Sequence, residues 1–293
     1  MSHAASEIAS QPECWRRAAA LTASGQLTGL PRPGERVAIA GCGTSWFIAQ
    51  SYAARRESMG LGESDAFAAS EMPPDRRYDR VLAITRSGTT TEVLELLTRL
   101  PSGTPTVVIT GTADSPVIPL AGDTILLDWA DEKSVVQTRF ATATLALLRA
   151  HLGEDLTAAI ADAERALADP LPVDPATLEQ VTFLGQGWTT GLANEAALKL
   201  REAATFWTEA YPAMDYRHGP ISIAEPGRAV WSFGTPPEGL ADDVAATGAS
   251  FVHDDLDPMA DLVRAQRLAL ALAEHRGLDI DSPRHLTRSV VLD

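Results

Sequence analysis

Cysteine is scarce in this chain of 293 residues: Cys14 and Cys42 are all it has, too few for a disulfide framework and wrong for a zinc site. Basic residues are in deficit too. Lys and Arg number 24 against 39 Asp and Glu, giving a formal net charge of -15 and a pI near 4.8. That balance argues against nucleic acid or anionic membrane as a broad partner, since both select basic surfaces. It also repels phosphorylated metabolites at long range, so any phosphate site must be local, built from backbone N–H groups and hydroxyls. No apolar run approaches the ~18 residues of a membrane span, and the opening MSHAASEIASQPECWRRAAAL lacks the basic-then-apolar order of a signal peptide. The expectation is a soluble, unexported protein of the reducing cytoplasm. Without a G-x-G-x-x-G fingerprint or a Walker Lys-Ser/Thr pair, dinucleotide or nucleotide binding is not expected.

What is present is a core-forming α/β pattern, with 45% hydrophobic residues. An amphipathic lead-in helix is expected over Ser10–Ser24. Short apolar runs of the buried parallel-strand kind follow at Arg36–Gly41, Asp65–Ala69, Arg80–Thr85, Thr106–Thr110 and Thr124–Asp128. Two of them end in turns rich in Gly and hydroxyls: Cys42-Gly43-Thr44-Ser45 before a helix from Trp46, and Arg86-Ser87-Gly88-Thr89-Thr90-Thr91 before a helix from Glu92. Strand, hydroxyl-rich turn and helix together present free N–H groups and a helix dipole to an anion, and two such turns can converge on one crevice. Glu132–Thr138 is expected to open a long helix running through Ala150. A connecting helix and Pro-rich linker leads to a second α/β pattern from Gln180, where VTFLGQG repeats the layout of RVAIAGCG. The lobes read as an internal duplication: 1–29 lead-in helix, 30–152 first lobe, 153–179 connector, 180–293 second lobe. The expected fold class is α/β, two tandem nested α/β/α sandwiches, each with a mainly parallel five-stranded sheet. Ser289–Leu292 is expected to close the chain.

The stretch NEAALKLREAATFWTEAYPAMDYRHGP, Asn194–Pro220, is the most informative. An apolar helix from Glu195 onward carries Glu195, Lys199 and Glu202 at helical spacing on one side. On the helix alone, a salt-bridged face is the base expectation. The alternative is a set of ionisable groups aimed into a cleft. Tyr211, Pro212 and the triplet His218-Gly219-Pro220 are read as a turn after it.

GCGTS, ASE near Glu71, TRSGTTTE, EKSVVQT, EAALKLREA with YRHGP, and the tail DIDSPRHLTRSVVLD stand in an order that resembles the sugar isomerase domain. That phosphosugar-binding fold occurs twice in the isomerase half of glucosamine-6-phosphate synthase. The resemblance runs from about residue 30 to the end. EKSVVQTR looks closer to the stand-alone branch of aminosugar-phosphate deaminase/isomerases and fructosamine deglycases. A synthase needs a glutaminase domain with an N-terminal cysteine nucleophile, which these residues do not supply, so the complete amidotransferase reaction is not expected.

The resemblance implies that Gly43, Thr44, Ser45, Thr85, Ser87 and Thr90 hold the sugar phosphate, with Val135, Gln137, Arg86 and Arg288 also at substrate-binding positions. Each Ser or Thr could instead be a helix N-cap, and Arg86 could serve phosphate or pair with a carboxylate. It further implies that Glu202 moves a proton between C1 and C2, that His218 opens the ring from the neighbouring subunit of a homodimer, and that Lys199 orients substrate or base. Lys199 could equally form a salt bridge with Glu195. Where the synthases carry a Schiff-base lysine this chain has Arg288, and a guanidinium is no amine nucleophile, so an enzyme imine is excluded at that position. The favoured reading is a phosphosugar aldose–ketose isomerase without metal or cofactor, acting on an aminosugar phosphate with ammonia release. A fructosamine-6-phosphate deglycase and, in another class, a non-catalytic phosphosugar sensor are the alternatives.

Overall fold

The computed structural model describes residues 2–292. The chain divides into two compact units. One comprises residues 13–132, 139–156 and the segment from Thr287. The other comprises the residues up to Pro12, 133–138 and 157–286.

The amino-terminal region holds two helices, α1 (His3–Ala9) and α2 (Gln11–Ala23), where one was expected. Pro12 explains the break: it has no N–H, and its ring clashes with the carbonyl four residues back in a continuous helix. From α2, Trp15 is fully buried and its Nε1 donates to Thr142 Oγ1 at 2.9 Å.

In the first unit β1 (Val37–Gly41), α3 (Thr44–Ser58), β2 (Ser64–Ala68), β3 (Arg80–Thr85), α4 (Thr91–Arg99), β4 (Thr106–Thr110) and β5 (Asp123–Leu126) follow one another, and α5 (Arg139–His151) completes it. All strand pairings are parallel, in the order β2-β1-β3-β4-β5. Parallel strands are covered on both faces, which is why β1, β3 and β4 are buried at every position. Side chains such as Ile39, Leu82 and Ile109, fully removed from solvent, each contribute roughly 1.5–3 kcal/mol by burial. Glu132–Thr138 is irregular rather than the start of α5. The Glu132 carboxylate accepts the N–H groups of Arg139 (2.9 Å) and Phe140 (3.4 Å), so the helix begins there.

The second unit contains α6 (Thr157–Ala168), β6 (Gln180–Gly185), α7 (Thr189–Ala204), β7 (Thr208–Pro212), β8 (Arg228–Ser232), α8 (Leu240–Thr247), β9 (Ser250–Val252) and α9 (Pro258–His275). Its sheet is also parallel, in the order β7-β6-β8-β9. This is the first sheet's order less its last member, so the second sheet has four strands where five were expected. No strand follows α9 among the described residues. Ser289–Leu292 is irregular and bonds in the first unit, Thr91 N–H to Val290 O (3.1 Å) and Leu292 N–H to Thr91 Oγ1 (2.9 Å). The stretch around Tyr211, read as a turn, is edge strand β7, with Pro212 at its end where a missing N–H costs no ladder bond. Among the described residues no helix is long and apolar enough to cross a membrane.

Candidate active site

In the first unit β1 and β3 are hydrogen-bonded neighbours, and the chain leaves β1 toward β2 on one side and toward β3 on the other. This is a topological switch point, where open parallel sheets bind ligands beyond the strands' carboxyl ends. Both hydroxyl-rich turns stand there. Gly41 lets α3 seat against the strand end: a Cβ would fall 2.7 Å from the Ser45 backbone. Gly43, at φ +54°, is the N-cap of α3 and offers no side chain, so Thr44 and Ser45 open the helix without capping it.

The second turn is internally bonded. Thr85 Oγ1 accepts Gly88 N–H at 3.3 Å, Ser87 Oγ accepts Thr89 N–H at 3.2 Å, and the Thr89 hydroxyl lies 3.0 Å from Ser87 Oγ and 2.9 Å from Ser289 Oγ. A hydroxyl that accepts in this way keeps its own proton to donate. Thr90 occupies the N-cap of α4, yet its side chain makes no capping bond. The simple capping role therefore fails for Thr90, and Thr44 and Ser45 lie inside their helix rather than at its cap. Cys42 is no nucleophile candidate: burial, and secondarily the charge of Glu92, push its thiol up to about 11.

Behind this turn Arg86 is fully buried, its guanidinium 3.8 Å from Glu132 and donating to Arg288 O at 3.0 Å. Arg86 thus pairs with a carboxylate. Arg288 is likewise engaged, by Asp131 Oδ1 at 2.5 Å and by the Glu132 carbonyl. A cavity of about 330 Å³ in this unit lies at the opposite, amino-terminal ends of β3 and β4 and is lined by Arg76, Arg77 and Arg99 rather than by the turns.

In the second unit α7 starts at Thr189, six residues before the expected Glu195. The Thr189 hydroxyl bridges this unit's own switch point, donating to Phe233 O (3.0 Å) after β8 and accepting Gln186 N–H (2.8 Å) after β6. Gly185 repeats the role of Gly41, since a Cβ there would lie 2.3 Å from Thr189 O.

Further along α7, Lys199 is 1% exposed, with its Nζ 3.5 Å from the fully buried Glu195 and 2.5 Å from Glu202. A buried ammonium must be paired to offset its lost hydration. Glu195 sits one helical turn before it and Glu202 just under one turn after it. Glu202 differs from Glu195 in retaining one-fifth of its side chain exposed, at a cavity of about 190 Å³ also lined by Thr205, Asp279, Ser282 and Arg284. The helix ends there because Thr205 is left-handed, at φ +49°. The salt-bridge reading of the charged stripe therefore holds for Lys199 and Glu195, and Glu202 combines a salt bridge with access to a cleft.

His218 ends a short 3-10 turn, Asp215–His218, before Gly219 at φ +130°, and is exposed. Its imidazole has no hydrogen-bond partner among the described residues. Val135 and Gln137 lie half-buried on the irregular 133–138 segment, and Gln137 Oε1 is buried with no hydrogen-bond partner among the described residues. No cluster of three metal-ligating side chains occurs among the described residues. Two anchoring carboxylates, Glu7 and Asp131, went unseen in the sequence, because one lies on a short amphipathic helix and the other in a loop, without a motif of its own.

Residues 32–152 match the SIS domain family. Over 88% of the chain the sequence is 27% identical to the glutamine–fructose-6-phosphate aminotransferase [isomerizing] of Gloeobacter violaceus, covering 52% of that protein. The chain spans about half the length of the curated relatives it matches. Among solved structures, the glucosamine-6-phosphate deaminase of Thermotoga maritima superposes with a TM-score of 0.83 at 23% identity, covering 99% of this chain and 100% of that one. The tagatose-6-phosphate ketose/aldose isomerase of Escherichia coli gives a TM-score of 0.75 at 17% identity, covering 96% and 95%. These two likenesses establish the fold.

Proposed function

We propose, from the match of residues 32–152 to the SIS domain family, that this chain is a sugar-phosphate aldose–ketose isomerase whose substrate is an aminosugar phosphate, released as ketose phosphate and ammonia. The observation that carries the reading is the pair of hydroxyl-rich turns at one switch point, with Thr85 and Ser87 accepting from amides and Thr90 uncapped. Donor protons of Thr44, Ser45, Thr85, Ser87 and Thr90, with the Gly43 turn, hold the phosphate oxygens. Arg86 supports the turn from behind, its charge matched by Glu132.

Glu202 is the proton shuttle. As a carboxylate it takes the C2 proton of the open-chain aminosugar, leaving an enolamine, and returns a proton to C1. Water then hydrolyses the resulting C2 imine to the ketone, releasing ammonia. Lys199 holds the Glu202 carboxylate at 2.5 Å and fixes its direction. His218, supplied by the neighbouring subunit of a homodimer, gives a proton to the ring oxygen and takes one from the C1 hydroxyl. The substrate brings its own nitrogen, so no enzyme imine is required, in keeping with Arg288 being a guanidinium held by Asp131. The chain's acidic balance and reducing-compartment cysteine content support a cytoplasmic setting.

Incubation with glucosamine-6-phosphate, galactosamine-6-phosphate, fructose-6-phosphate and a fructosamine-6-phosphate, following ammonia, amine and ketose, tests the reading. Ammonia and ketose should appear together from an aminosugar phosphate, and Glu202→Gln should lower kcat by about 10²–10⁴-fold. Amine release from the fructosamine alone would replace isomerase by deglycase. Tight binding without turnover would replace it by a sensor. Equal turnover by Glu202→Gln would remove Glu202 from the mechanism.

A further inference from the structure

Glu7 on α1 is 3% exposed, and its Oε1 accepts the N–H groups of Lys133 at 2.6 Å and Ser134 at 3.4 Å, across a sequence separation of 126 residues to the nearer one. A carboxylate taken out of water loses several kcal/mol of hydration unless donors replace it, and two successive backbone N–H groups form a natural anion nest. The benefit is mutual. Residues 133–138 are irregular, so their amides have no helix or ladder to satisfy them.

A seven-residue helix has no stability of its own, yet α1 is fixed at both ends. At its start the Asp281 carboxylate accepts His3 N–H (2.7 Å) and Ala4 N–H (2.8 Å). Just beyond its end Gln11 Nε2 donates to Gln266 Oε1 on α9 (2.7 Å). A helix held this firmly is a rigid mount for one buried carboxylate, and that carboxylate serves the segment bearing Val135 and Gln137. On that segment Gln137 Oε1 is buried without a hydrogen-bond partner among the described residues, an acceptor suited to a hydroxyl or ammonium donor of a sugar.

We propose that Glu7 is the positioning residue of the 133–138 segment: it fixes the backbone from which Val135 and Gln137 meet the substrate, and governs substrate affinity without touching substrate. This rests on the sugar-phosphate reading above. Glu7 Oε2 makes no hydrogen bond among the described residues, so glutamine at this position can keep its oxygen on both amides and place its nitrogen where no bond is lost.

Three variants of the full chain test it: Glu7→Ala, Glu7→Gln, and Gln11→Ala, which at the first residue of α2 removes one bond beyond α1 while the Asp281 anchor and the Glu7 contacts stay in place. Glu7→Ala should lower kcat/KM about tenfold to a hundredfold, mainly through KM, the scale of a misplaced binding group. Glu7→Gln should stay within about threefold of the parent, since a neutral acceptor is roughly half as strong as a charged one. Gln11→Ala should lower the melting temperature with KM unchanged. Hydrogen–deuterium exchange should show the Lys133 and Ser134 amides deprotected in Glu7→Ala alone. The proposal is overturned if those amides stay protected in Glu7→Ala, or if Gln11→Ala raises KM as much as Glu7→Ala does. If the parent turns over no sugar phosphate, the function reading fails. The exchange data and the shift in binding of glucosamine-6-phosphate then decide the role of Glu7 on their own.

Discussion

Lys199 carries two carboxylates: Glu195 is fully buried, and Glu202 is partly exposed and lines a cavity. Stability and chemistry should therefore separate along one helix. Replacing Lys199 by Met strips the cation from Glu195, which is fully buried, and should cost about 3–5 kcal/mol in urea unfolding. Glu202→Gln, at a partly exposed position, should cost under about 1 kcal/mol while abolishing most turnover. If both variants lost stability equally, Glu202 would be one more member of a structural ion pair. The charged stripe was legible in the sequence because Glu195, Lys199 and Glu202 recur at helical spacing. Which carboxylate faces the cleft was not, since that depends on α7 ending at the left-handed Thr205. Arg86 was ambiguous for a similar reason: its partner Glu132 lies far along the chain, beyond β4 and β5.

At the scale of elements, the alternation of apolar runs and Gly-rich turns located β1, β3, β4, α3 and α4 closely, because buried parallel strands read as unbroken apolar segments. The misplaced boundaries arose where side chains decide a helix start. Glu132 moves the beginning of α5 to Arg139, whereas the helix expected over Ser10–Ser24 is α2 to within one residue at each end, with the short α1 set off before it at Pro12. The turns lend themselves to a paired test. Thr90→Ala at an ordinary N-cap would cost about 1 kcal/mol. Here no capping bond exists, so stability should hold within about 0.5 kcal/mol while KM for the phosphosugar rises. Gly41→Ala and Gly185→Ala should do the reverse, because each added methyl meets the backbone of the following helix, at 2.7 and 2.3 Å. Overpacking of this kind costs about 1–3 kcal/mol. Thermal melts with parallel substrate titrations would separate the two classes. A large stability loss in Thr90→Ala would return Thr90 to a capping role.

On the scale of the whole molecule, two sheets of matching order, each with a glycine closing its first strand against the next helix, repeat one topology. The repeat was legible in RVAIAGCG and VTFLGQG. The divergence of the copies was legible only in their turn chemistry: the first places several hydroxyls at its switch point, and in the second the Thr189 hydroxyl bonds to Phe233 O. The missing fifth strand was not legible, because a short tail of β-branched residues reads as a strand whichever unit it joins. In the proposed mechanism Glu202 and His218 come from different subunits of a dimer, and His218 is exposed with no hydrogen-bond partner among the described residues. Isologous exchange makes a quantitative prediction. Glu202→Gln and His218→Ala homodimers should each be nearly inactive. After the two are unfolded together and refolded, half of the dimers should be mixed, and each mixed dimer should hold one site with both groups intact, restoring about a quarter of parental activity. Refolding either variant alone should restore none. Were the mixture as inactive as its components, Glu202 and His218 would have to act from the same subunit, and the ring-opening role would need a histidine closer to α7.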